Sequence, residues 1–447
     1  MTLSVALPIM IQNFITNFVS MLDNLMVGSL GTEQMSGVSI VNQLIFVFSL
    51  AIFGALSGAG IFTAQFFGKG DDEGIRYTVR FKMIISLLIF VVGTAVFLLF
   101  DSQLIGLFIH DVDPSCDLNA TIDFAESYLK VILWGLLPFT LSQAFSSTLR
   151  ETGETLAPML AGLAAVVTNC VFNYLLIFGK FGFPKLGVVG AAIATDISRY
   201  VECIIIIAYT FIKRSRFKYI NGAFRSAYIP RPVLKQITIK GMPLLLNEFL
   251  WSSGMMLLSV AYSLHGLSVV AGYSISSTVM NLANIAFLSL GSSIGIIIGK
   301  ILGSGNYEEA VDTDRKLIAF SVMLSIVTGT IVFLLGDKIP ELYKTSELSK
   351  EYAAYFIKVC ACFVPLDAFA NASYFTIRSG GKTLVTFLFD SMFVLFVSVP
   401  TAFLLYYAAK LDIHIIFPIV LSENIIKVIV GFILLKKRVW VNNIVSD

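Results

Sequence analysis

The sequence has little charge for its length. Only 13% of its 447 residues are Asp, Glu, Lys or Arg, whereas 57% are hydrophobic. Soluble proteins carry about 25% charged residues, so this composition excludes an ordinary soluble enzyme or binding domain. Apolar runs recur along the chain, each about 20 residues long, which is enough to cross a bilayer as a helix. The sequence therefore predicts an integral membrane protein.

Histidine and cysteine, which supply many catalytic and metal sites, are also scarce. The three histidines lie in loops or at the ends of apolar runs, without the spacing of metal ligands, and the five cysteines match no zinc or redox motif. We interpret the cysteines as small packing residues. The sequence predicts no catalytic residue, no organic cofactor and no metal other than a coupling sodium ion. The histidines are His110, His265 and His414, and the cysteines are Cys116, Cys170, Cys203, Cys360 and Cys362.

The apolar runs predict twelve transmembrane helices in an all-α fold, because a backbone in lipid must satisfy its own hydrogen bonds. Six runs precede a basic central loop and six follow it, so the two halves have the same orientation. The expected spans are 3–27, 38–67, 83–100, 128–149, 156–178, 187–212, 241–264, 270–302, 317–335, 353–377, 384–408 and 415–435.

The second half of the chain repeats the first at a fixed offset. Seven residue pairs lie 235 positions apart, and five of them are glycine pairs, whereas chance gives about one glycine pair. After a shift of seven residues the match resumes at Arg150/Arg378. The pairs at 235 are Pro8/Pro243, Gly31/Gly266, Gly37/Gly272, Gly60/Gly295, Gly68/Gly303, Gly70/Gly305 and Arg80/Arg315. Many transporters are duplicated bundles with a substrate site between the halves, so this pattern favours a transporter.

The repeat predicts four segments along the chain. They are an N-lobe at 1–212, a basic linker at 213–240, a C-lobe at 241–435 and a tail at 436–447, with the two lobes surrounding a central cavity. The loops on the linker's side hold 21 of the 31 basic residues, and the opposite loops hold seven. Since cytoplasmic loops carry the excess of Lys and Arg, we expect both termini in the cytoplasm and the chain in the plasma membrane. We do not expect nucleic-acid binding by the linker, because its basic residues lie where the positive-inside rule requires them.

Three acidic residues within the predicted spans have no basic neighbour on their own helix. They are Asp23, Glu248 and Asp367, in spans 1, 7 and 10. A lone carboxylate in the bilayer costs about 2.5–3.5 kcal/mol on insertion scales, so such residues need a proton, a partner or a function. We assign these three acids to cation coupling.

Other intramembrane charges have neighbours that favour structural pairing. Glu423 and Lys427 are four residues apart with the acid first, the favourable order for an intrahelical pair. Asp196, Arg199 and Glu202 follow one another at intervals of three on one face of span 6. Asp390 lies near an end of span 11, within reach of headgroups or of Arg378, and both a structural and a functional role are open for it.

Polar amides accompany the three unpaired acids at helical spacing. Such a stripe on an apolar helix faces either a water-filled cavity or another helix, and hydrogen bonding between helices is the alternative to a binding site. We expect five of these amides to line a cavity for substrate. They are Asn24, Asn169, Asn173, Asn247 and Asn371.

Several of these segments resemble the multidrug and toxic compound extrusion (MATE) family. Pro8, followed by Asp23-Asn24-Leu25-Met26-Val27-Gly28, is similar to the family's opening motif, whose aspartate lies in the N-lobe cavity. Residues 169–179 resemble its span-5 motif, and Pro365-Leu366-Asp367 with residues 378–383 resembles its span-10 segment. The resemblance covers the whole chain. It implies an antiporter that exports organic cations and drugs in exchange for sodium or protons by alternating access, acting as a monomer among membrane lipids.

The chain departs from the family pattern at two positions that bear on the coupling ion. Residue 173 is Asn, where one subgroup has an Asp that completes an N-lobe ion site. Glu248 lies about one turn nearer to Pro243 than the acid of sodium-coupled bacterial members. The resemblance therefore leaves the ion open between sodium and protons, and Glu248 with Asp367 favours sodium.

Three alternative functions are weaker. A flippase for lipid-linked oligosaccharides needs a basic cavity for phosphate, whereas the spans contain only Arg199, Lys358 and Lys427. An ATP-driven pump needs a P-loop, but position 376, before Gly380-Gly381-Lys382-Thr383, is Thr and not Gly. A membrane enzyme needs a nucleophile, base or metal cluster, and the sequence has none with suitable spacing.

Overall fold

The computed structural model describes residues 2–106, 118–343 and 345–446, apart from the side chains of residues 2–4, 18–21, 24, 25 and 32. The described residues form helices joined by short connections, with no β-strand, which confirms the all-α prediction. The helices of the first half are α1 (Thr2–Gly28), α2 (Thr32–Lys69), α3 (Asp72–Leu99), α4 (Asp101–Gly106), α5 (Leu118–Ile132), α6 (Leu136–Glu151), α7 (Leu156–Phe178) and α8 (Val188–Ile212).

The second half follows the same order of long helices. A 3₁₀ turn joins α5 to α6, and two π-helical segments, Leu388–Met392 and Val394–Ser398, lie between α13 and α14. The helices are α9 (Arg231–Ser263), α10 (Leu267–Gly303), α11 (Tyr307–Leu335), α12 (Glu347–Ser379), α13 (Thr383–Phe387), α14 (Val399–Tyr407), α15 (Ile413–Ser422) and α16 (Asn424–Lys436).

Each predicted span coincides with a helix or with a continuous run of helical segments. Within the described residues, ten of these runs are long and apolar enough to cross a membrane by length and composition. The other two expected spans are α1, with 27 residues, and α8, with 25. Several helices begin about ten residues before the predicted span. For α3 the reason is an N-cap, because the Asp71 side chain accepts hydrogen bonds from the backbone N–H groups of Glu73 and Gly74.

The chain divides into two compact units. The N-terminal unit comprises residues 7–63 and 71–237, and the C-terminal unit comprises residues 1–6, 64–70 and 238–447. The N-terminal unit has a core of mainly aliphatic residues, most of them from α2, α5, α6 and α8, including the fully buried Val41 and Leu136. The C-terminal unit has an aromatic core, in which the rings of Phe356 and Phe417 lie 4.5 Å apart.

The basic central loop packs on the N-terminal unit through backbone carbonyls. Arg80 donates hydrogen bonds of 2.8 Å to Ala223, 2.8 Å to Tyr228 and 3.0 Å to Gly222. Burial of Tyr219 in this loop raises the pKa of its hydroxyl to about 12. An arginine of the repeat therefore fixes the loop, because its planar fork of donors matches several carbonyls at once.

Two of the repeated glycines allow a close helix crossing in the C-terminal unit. A Cβ on Gly68 would collide with the backbone carbonyl of Lys300, and a Cβ on Gly303 would collide with that of Gln65. Gln65 and Lys300 are themselves 235 residues apart, so the crossing is reciprocal. The chain end packs at the same place. The Gln65 amide donates to Ser379 O at 2.9 Å and to Asn442 O at 3.2 Å, and its oxygen accepts from Ile444 N–H at 2.8 Å.

Candidate functional site

In the N-terminal unit, Asp23 on α1 meets amide side chains from α7. Asn173 donates a hydrogen bond to the Asp23 carboxylate. With its nitrogen facing Asp23, the Asn169 amide lies 2.8 and 3.0 Å from the two carboxylate oxygens, and its oxygen then accepts from Thr195 Oγ1 at 3.3 Å. Three residues that the sequence assigned to ion and cavity positions are therefore brought together. The side chain of Asn24, also assigned to the cavity, lies outside the described ones.

This carboxylate is held by neutral groups. Asn173 and Asn169 are almost fully buried, at 1% and 5% exposure, whereas Asp23 is half-buried. Within the described part of the chain, no basic side chain forms an ion pair with Asp23. A cavity of about 320 Å³ between α1 and α7 is lined by Leu22, Met26, Ser29, Cys170 and Phe178, and its lining does not include Asp23, Asn169 or Asn173. The two amides present N–H donors to Asp23, so the carboxylate oxygens are the groups there that could bind a monovalent cation or a proton.

The structure corrects the predicted charge row of α8. Among the described residues, no ion pair within 4.0 Å joins Asp196, Arg199 and Glu202. The Arg199 guanidinium instead lies 4.6 Å from the centre of the Phe139 ring. Arg199 and Asp196 still interact electrostatically. Arg199 also interacts electrostatically with Glu202, so the three charges interact without a contact within 4.0 Å.

Arg150 turns into the N-terminal unit and does not extend from the loop in which the sequence placed it. Its guanidinium donates to Gln12 Oε1 at 2.9 Å and interacts electrostatically with Glu202. A buried ion pair joins Lys82 to Glu151 nearby, and Lys82 is fully buried. The predicted span 83–100 leaves Lys82 in the loop before it. The helix α3 instead begins at Asp72, which places Lys82 about three turns inside the helix.

In the C-terminal unit, Asp367 on α12 is bound by an amide from α16. Asn424 Nδ2 donates to Asp367 Oδ1 at 2.8 Å, and Lys427, one turn later on α16, interacts electrostatically with the same carboxylate. The sequence analysis missed Asn424, which follows the acid by 57 residues. Its spacing of three from Lys427 is the only local signal that could have indicated it.

The predicted pair of Glu423 and Lys427 does not form. The Lys427 ammonium lies 3.8 Å from Asp390 Oδ1, and one oxygen of the buried Glu423 carboxylate has no hydrogen-bond partner among the described residues. Favourable spacing along a helix does not ensure an ion pair when another helix presents a carboxylate to the same lysine. Asp390 is therefore part of a polar cluster and is not limited to contacts with headgroups.

Asn247 links Asp390 to α9. Its amide nitrogen donates to Asp390 Oδ2 at 3.0 Å, and its oxygen accepts from the backbone N–H of Ser391 at 3.3 Å. Asp390 and Ser391 lie in a π-helical segment, a feature that often marks functional sites because it changes the direction of a side chain and alters backbone pairing. Glu248, next to Asn247, interacts electrostatically with Arg378 and with Asp390.

Asn371 forms no side-chain hydrogen bond with either cluster among the described residues. Its Oδ1 is buried, lacks a hydrogen-bond partner among the described residues, and lies against the backbone of Gly291. In the same described ranges, no group of three His, Cys, Asp or Glu residues has the geometry of a metal site. His110 and Cys116 lie outside the described residues.

Comparison with known proteins places this geometry in context. A family model described as MatE matches residues 8–175 and 243–408. A probable multidrug resistance protein NorM of Thermotoga maritima is 28% identical over 400 residues, covering 90% of this chain and 83% of its own length. The probable multidrug resistance protein YoeA of Bacillus subtilis is 24% identical over 412 residues, covering 91% and 86%. A solved outward-facing multidrug resistance MATE family transporter of the MOP superfamily superposes with a TM-score of 0.87, 21% identity and coverage of 98% and 95%.

Proposed function

The chain belongs to the MatE family of multi-pass membrane transporters and is therefore not an enzyme, and from this premise we propose that it exports organic cations in exchange for sodium ions or protons. The names of the two curated relatives support drug export. The expected substrates are small amphipathic molecules with a positive charge.

The observation that carries the proposal is the environment of Asp23. Its carboxylate accepts hydrogen bonds from neutral amides, and no ion pair with a described basic side chain neutralises it. A buried structural carboxylate is normally paired, because an unpaired charge costs several kcal/mol away from water. An unpaired one in a membrane helix is suited to bind and release a cation, which is the requirement for coupling.

Exchange follows from competition for negative charge. A sodium ion or proton at Asp23, Glu248 or Asp367 reduces the attraction of that unit for a cationic substrate, and bound substrate reduces the affinity for the ion by the same factor. Each unit charge that moves through 100 mV contributes about 2.3 kcal/mol, so an ion gradient can drive export. Alternating access would expose these carboxylates to each side in turn.

The proposal includes an orientation. It places both termini, the basic linker and the segments 68–82, 150–155, 300–316 and 378–383 in the cytoplasm, because 21 of the 31 basic residues lie in the linker, these segments and the tail. Export then runs from the linker side to the opposite side of the plasma membrane.

The alternative of a phosphate-bearing flippase substrate depends on free basic residues in the helices. Arg150 and Arg378 are inside their units, but each interacts with a glutamate, Glu202 and Glu248 respectively. Lys82 is paired with Glu151. Acidic partners on these three cations favour a cationic substrate over a phosphate.

The direct test is transport into everted vesicles or proteoliposomes. We expect an imposed sodium gradient or proton gradient to drive accumulation of ethidium, a fluorescent organic cation, and Asp23→Asn to abolish it. Asp337→Asn is the matched control, because this acid pairs with Lys358 at 2.6 Å and is 67% exposed. Ethidium accumulation that is independent of both gradients, or that is unchanged in Asp23→Asn, contradicts the proposal.

A further inference from the structure

The acidic cluster of the C-terminal unit contains its own cation. Lys427 on α16 lies between Asp390, 3.8 Å from its ammonium, and Asp367, with which it interacts electrostatically. Asn424, one turn before it, is bonded to Asp367 at 2.8 Å. One face of α16 therefore carries an amide to one carboxylate and an ammonium to the other.

The contact between Lys427 and Asp390 is loose. Charged N–H···O bonds are about 2.7–2.9 Å long, so 3.8 Å places the ammonium beside the carboxylate without a direct hydrogen bond. Lys427 also lies 5.1 Å from the centre of the Phe393 ring, a second weak attraction for its charge. Asp390, in contrast, is fixed through Asn247, which binds its other oxygen. The carboxylate is held in place, and the flexible lysine is held by charge alone.

The charges of this cluster do not cancel. Glu248, Asp367 and Asp390 contribute three carboxylates, and Arg378 and Lys427 contribute two cations. Within the described residues, none of these five groups lies closer than 3.8 Å to an oppositely charged member in an ion pair. With all five groups ionised, the cluster has one more negative than positive charge, and an additional monovalent cation would neutralise it.

We propose that Lys427 is a tethered competitor that couples cation binding at Asp367 to organic-cation binding at Asp390. A monovalent ion at Asp367 repels the ammonium toward Asp390 and blocks that carboxylate. When the ion leaves, the ammonium is drawn to Asp367, and Asp390 becomes free to bind the ammonium group of a substrate. The two sites then exclude each other's cation, which gives exchange. This inference rests on the proposed function and extends it by assigning Asp390 to substrate and Lys427 to coupling.

Lysine suits this role better than arginine. Its charge is a compact ammonium on four flexible methylene groups, whereas a guanidinium forms a rigid fork that stays with one carboxylate. Removal of the ammonium leaves two carboxylates without their shared neutralising charge, and such groups attract another cation.

The test is equilibrium binding to the purified full-length chain in lipid nanodiscs, with ²²Na⁺ alone and then with ethidium. Because allosteric coupling is typically 5–150-fold, we expect Lys427→Gln to retain sodium about tenfold more tightly than the wild type without any drug present. Asp367→Asn in addition should reverse most of that gain, because the sodium ion is assigned to Asp367. We also expect Lys427→Gln to bind ethidium about tenfold more tightly in the absence of sodium, with a reduced loss of ethidium when sodium is added.

Two control variants separate this role from a general effect of charge or folding. Lys358→Gln removes another lysine of the same unit, paired with Asp337, and should leave both affinities at the wild-type values. Lys427→Arg keeps the charge and should leave the sodium affinity near the wild-type value, which separates loss of the charge from loss of the side chain's packing. Monodisperse elution and an unchanged thermal transition establish that each variant is folded.

The results distinguish this inference from the proposed function. Lys427→Gln that binds no more ²²Na⁺ than the wild type overturns the tethered competitor, even if ethidium export is normal. A gain in ²²Na⁺ binding that Asp367→Asn reverses supports it, even if no gradient drives ethidium transport and the exporter proposal fails.

Discussion

The two units share a scaffold and differ in how their carboxylates are neutralised. Gly68 matches Gly303, and Arg150 matches Arg378, at the same places in the repeat. Asp23 of the N-terminal unit is held by neutral amides, whereas Asp367 of the C-terminal unit has Lys427 as an electrostatic neighbour. The comparison shows that backbone-packing positions stayed constant through the duplication while the charges diverged.

The same divergence occurs around the matched arginines. At the offset of 235, Gln12 corresponds to Asn247 and Asn13 corresponds to Glu248. In the N-terminal unit the Gln12 amide accepts from Arg150 at 2.9 Å. In the C-terminal unit the Asn247 amide is bonded to Asp390 at 3.0 Å, and an acid beside it interacts with the arginine. One position of the repeat therefore serves an arginine in one unit and a carboxylate in the other.

A buried ion pair of the N-terminal unit gives the largest expected difference in stability between the two units. Lys82 and Glu151 form it in the N-terminal unit, and the repeat places Leu317 and Ser379 at these positions in the other. We expect Lys82→Met to destabilise the chain by about 3–5 kcal/mol, because it removes the ion-pair partner of a buried carboxylate. Thermal unfolding in detergent, followed by size-exclusion chromatography, measures the effect.

The double variant Lys82→Met with Glu151→Gln is the control for that prediction. It removes both charges together and should recover most of the lost stability. Leu317→Met at the matched position should cost less than about 1.5 kcal/mol, as volume-conserving apolar swaps usually do. Equal losses at Lys82 and Leu317 would remove the distinction between the units.

The glycine crossing tests the shared part of the scaffold. Gly68→Val and Gly303→Val each place a side chain against a backbone carbonyl, so we expect each to cost about 1–3 kcal/mol from overpacking. Because the contacts are reciprocal, the two losses should be similar. Gly70 and Gly305 have open space at the Cβ position, so valine there would meet no neighbouring atom. It would bring only the strain of a positive φ, and we expect this cost to be smaller. Thermal unfolding of the four variants ranks them, and a large difference between Gly68 and Gly303 contradicts the reciprocal contact.

The smallest expected difference lies at the start of the last long helix of each unit. Asp412 caps α15 by accepting from His414 N–H at 2.9 Å, whereas α8 begins after Gly187 without a side-chain cap. Hydrogen bonds from the backbone and ring of His414 lower the pKa of Asp412. We expect Asp412→Ala to cost about 0.5–2 kcal/mol, the usual value of an N-cap.

The pH dependence of that cap has a definite sign. A carboxyl whose pKa is lowered in the folded state stabilises the fold fully above its unfolded value, and the contribution disappears as the pH falls through the lowered pKa. The difference in melting temperature between Asp412→Ala and the parent chain should therefore be greatest near neutral pH and should shrink in acid. A difference that grows on acidification would argue against the cap.

Sequence patterns along one helix indicated which amides share a face. Asn169 and Asn173 are four residues apart, so they lie on one polar face of α7. Both amides hydrogen-bond to Asp23. The same reasoning failed for Glu423 and Lys427, since spacing within a helix does not reveal which carboxylates neighbouring helices present. Thr195 and Asn424 were missed because each contacts its partner from another helix, 26 and 57 residues away.

The amino-acid sequence by itself determined the membrane-spanning helices, the duplication and the acids without neutralising neighbours on their own helix. Hydrophobic length and helical periodicity are local properties, so these conclusions follow from residues close together in the chain. Only the tertiary structure decided that Lys427 faces Asp390, that Lys82 is buried with Glu151 and that Arg150 turns inward to Gln12. The physical reason is that buried charges interact with the groups nearest to them in space, and the packing of separate helices sets those distances.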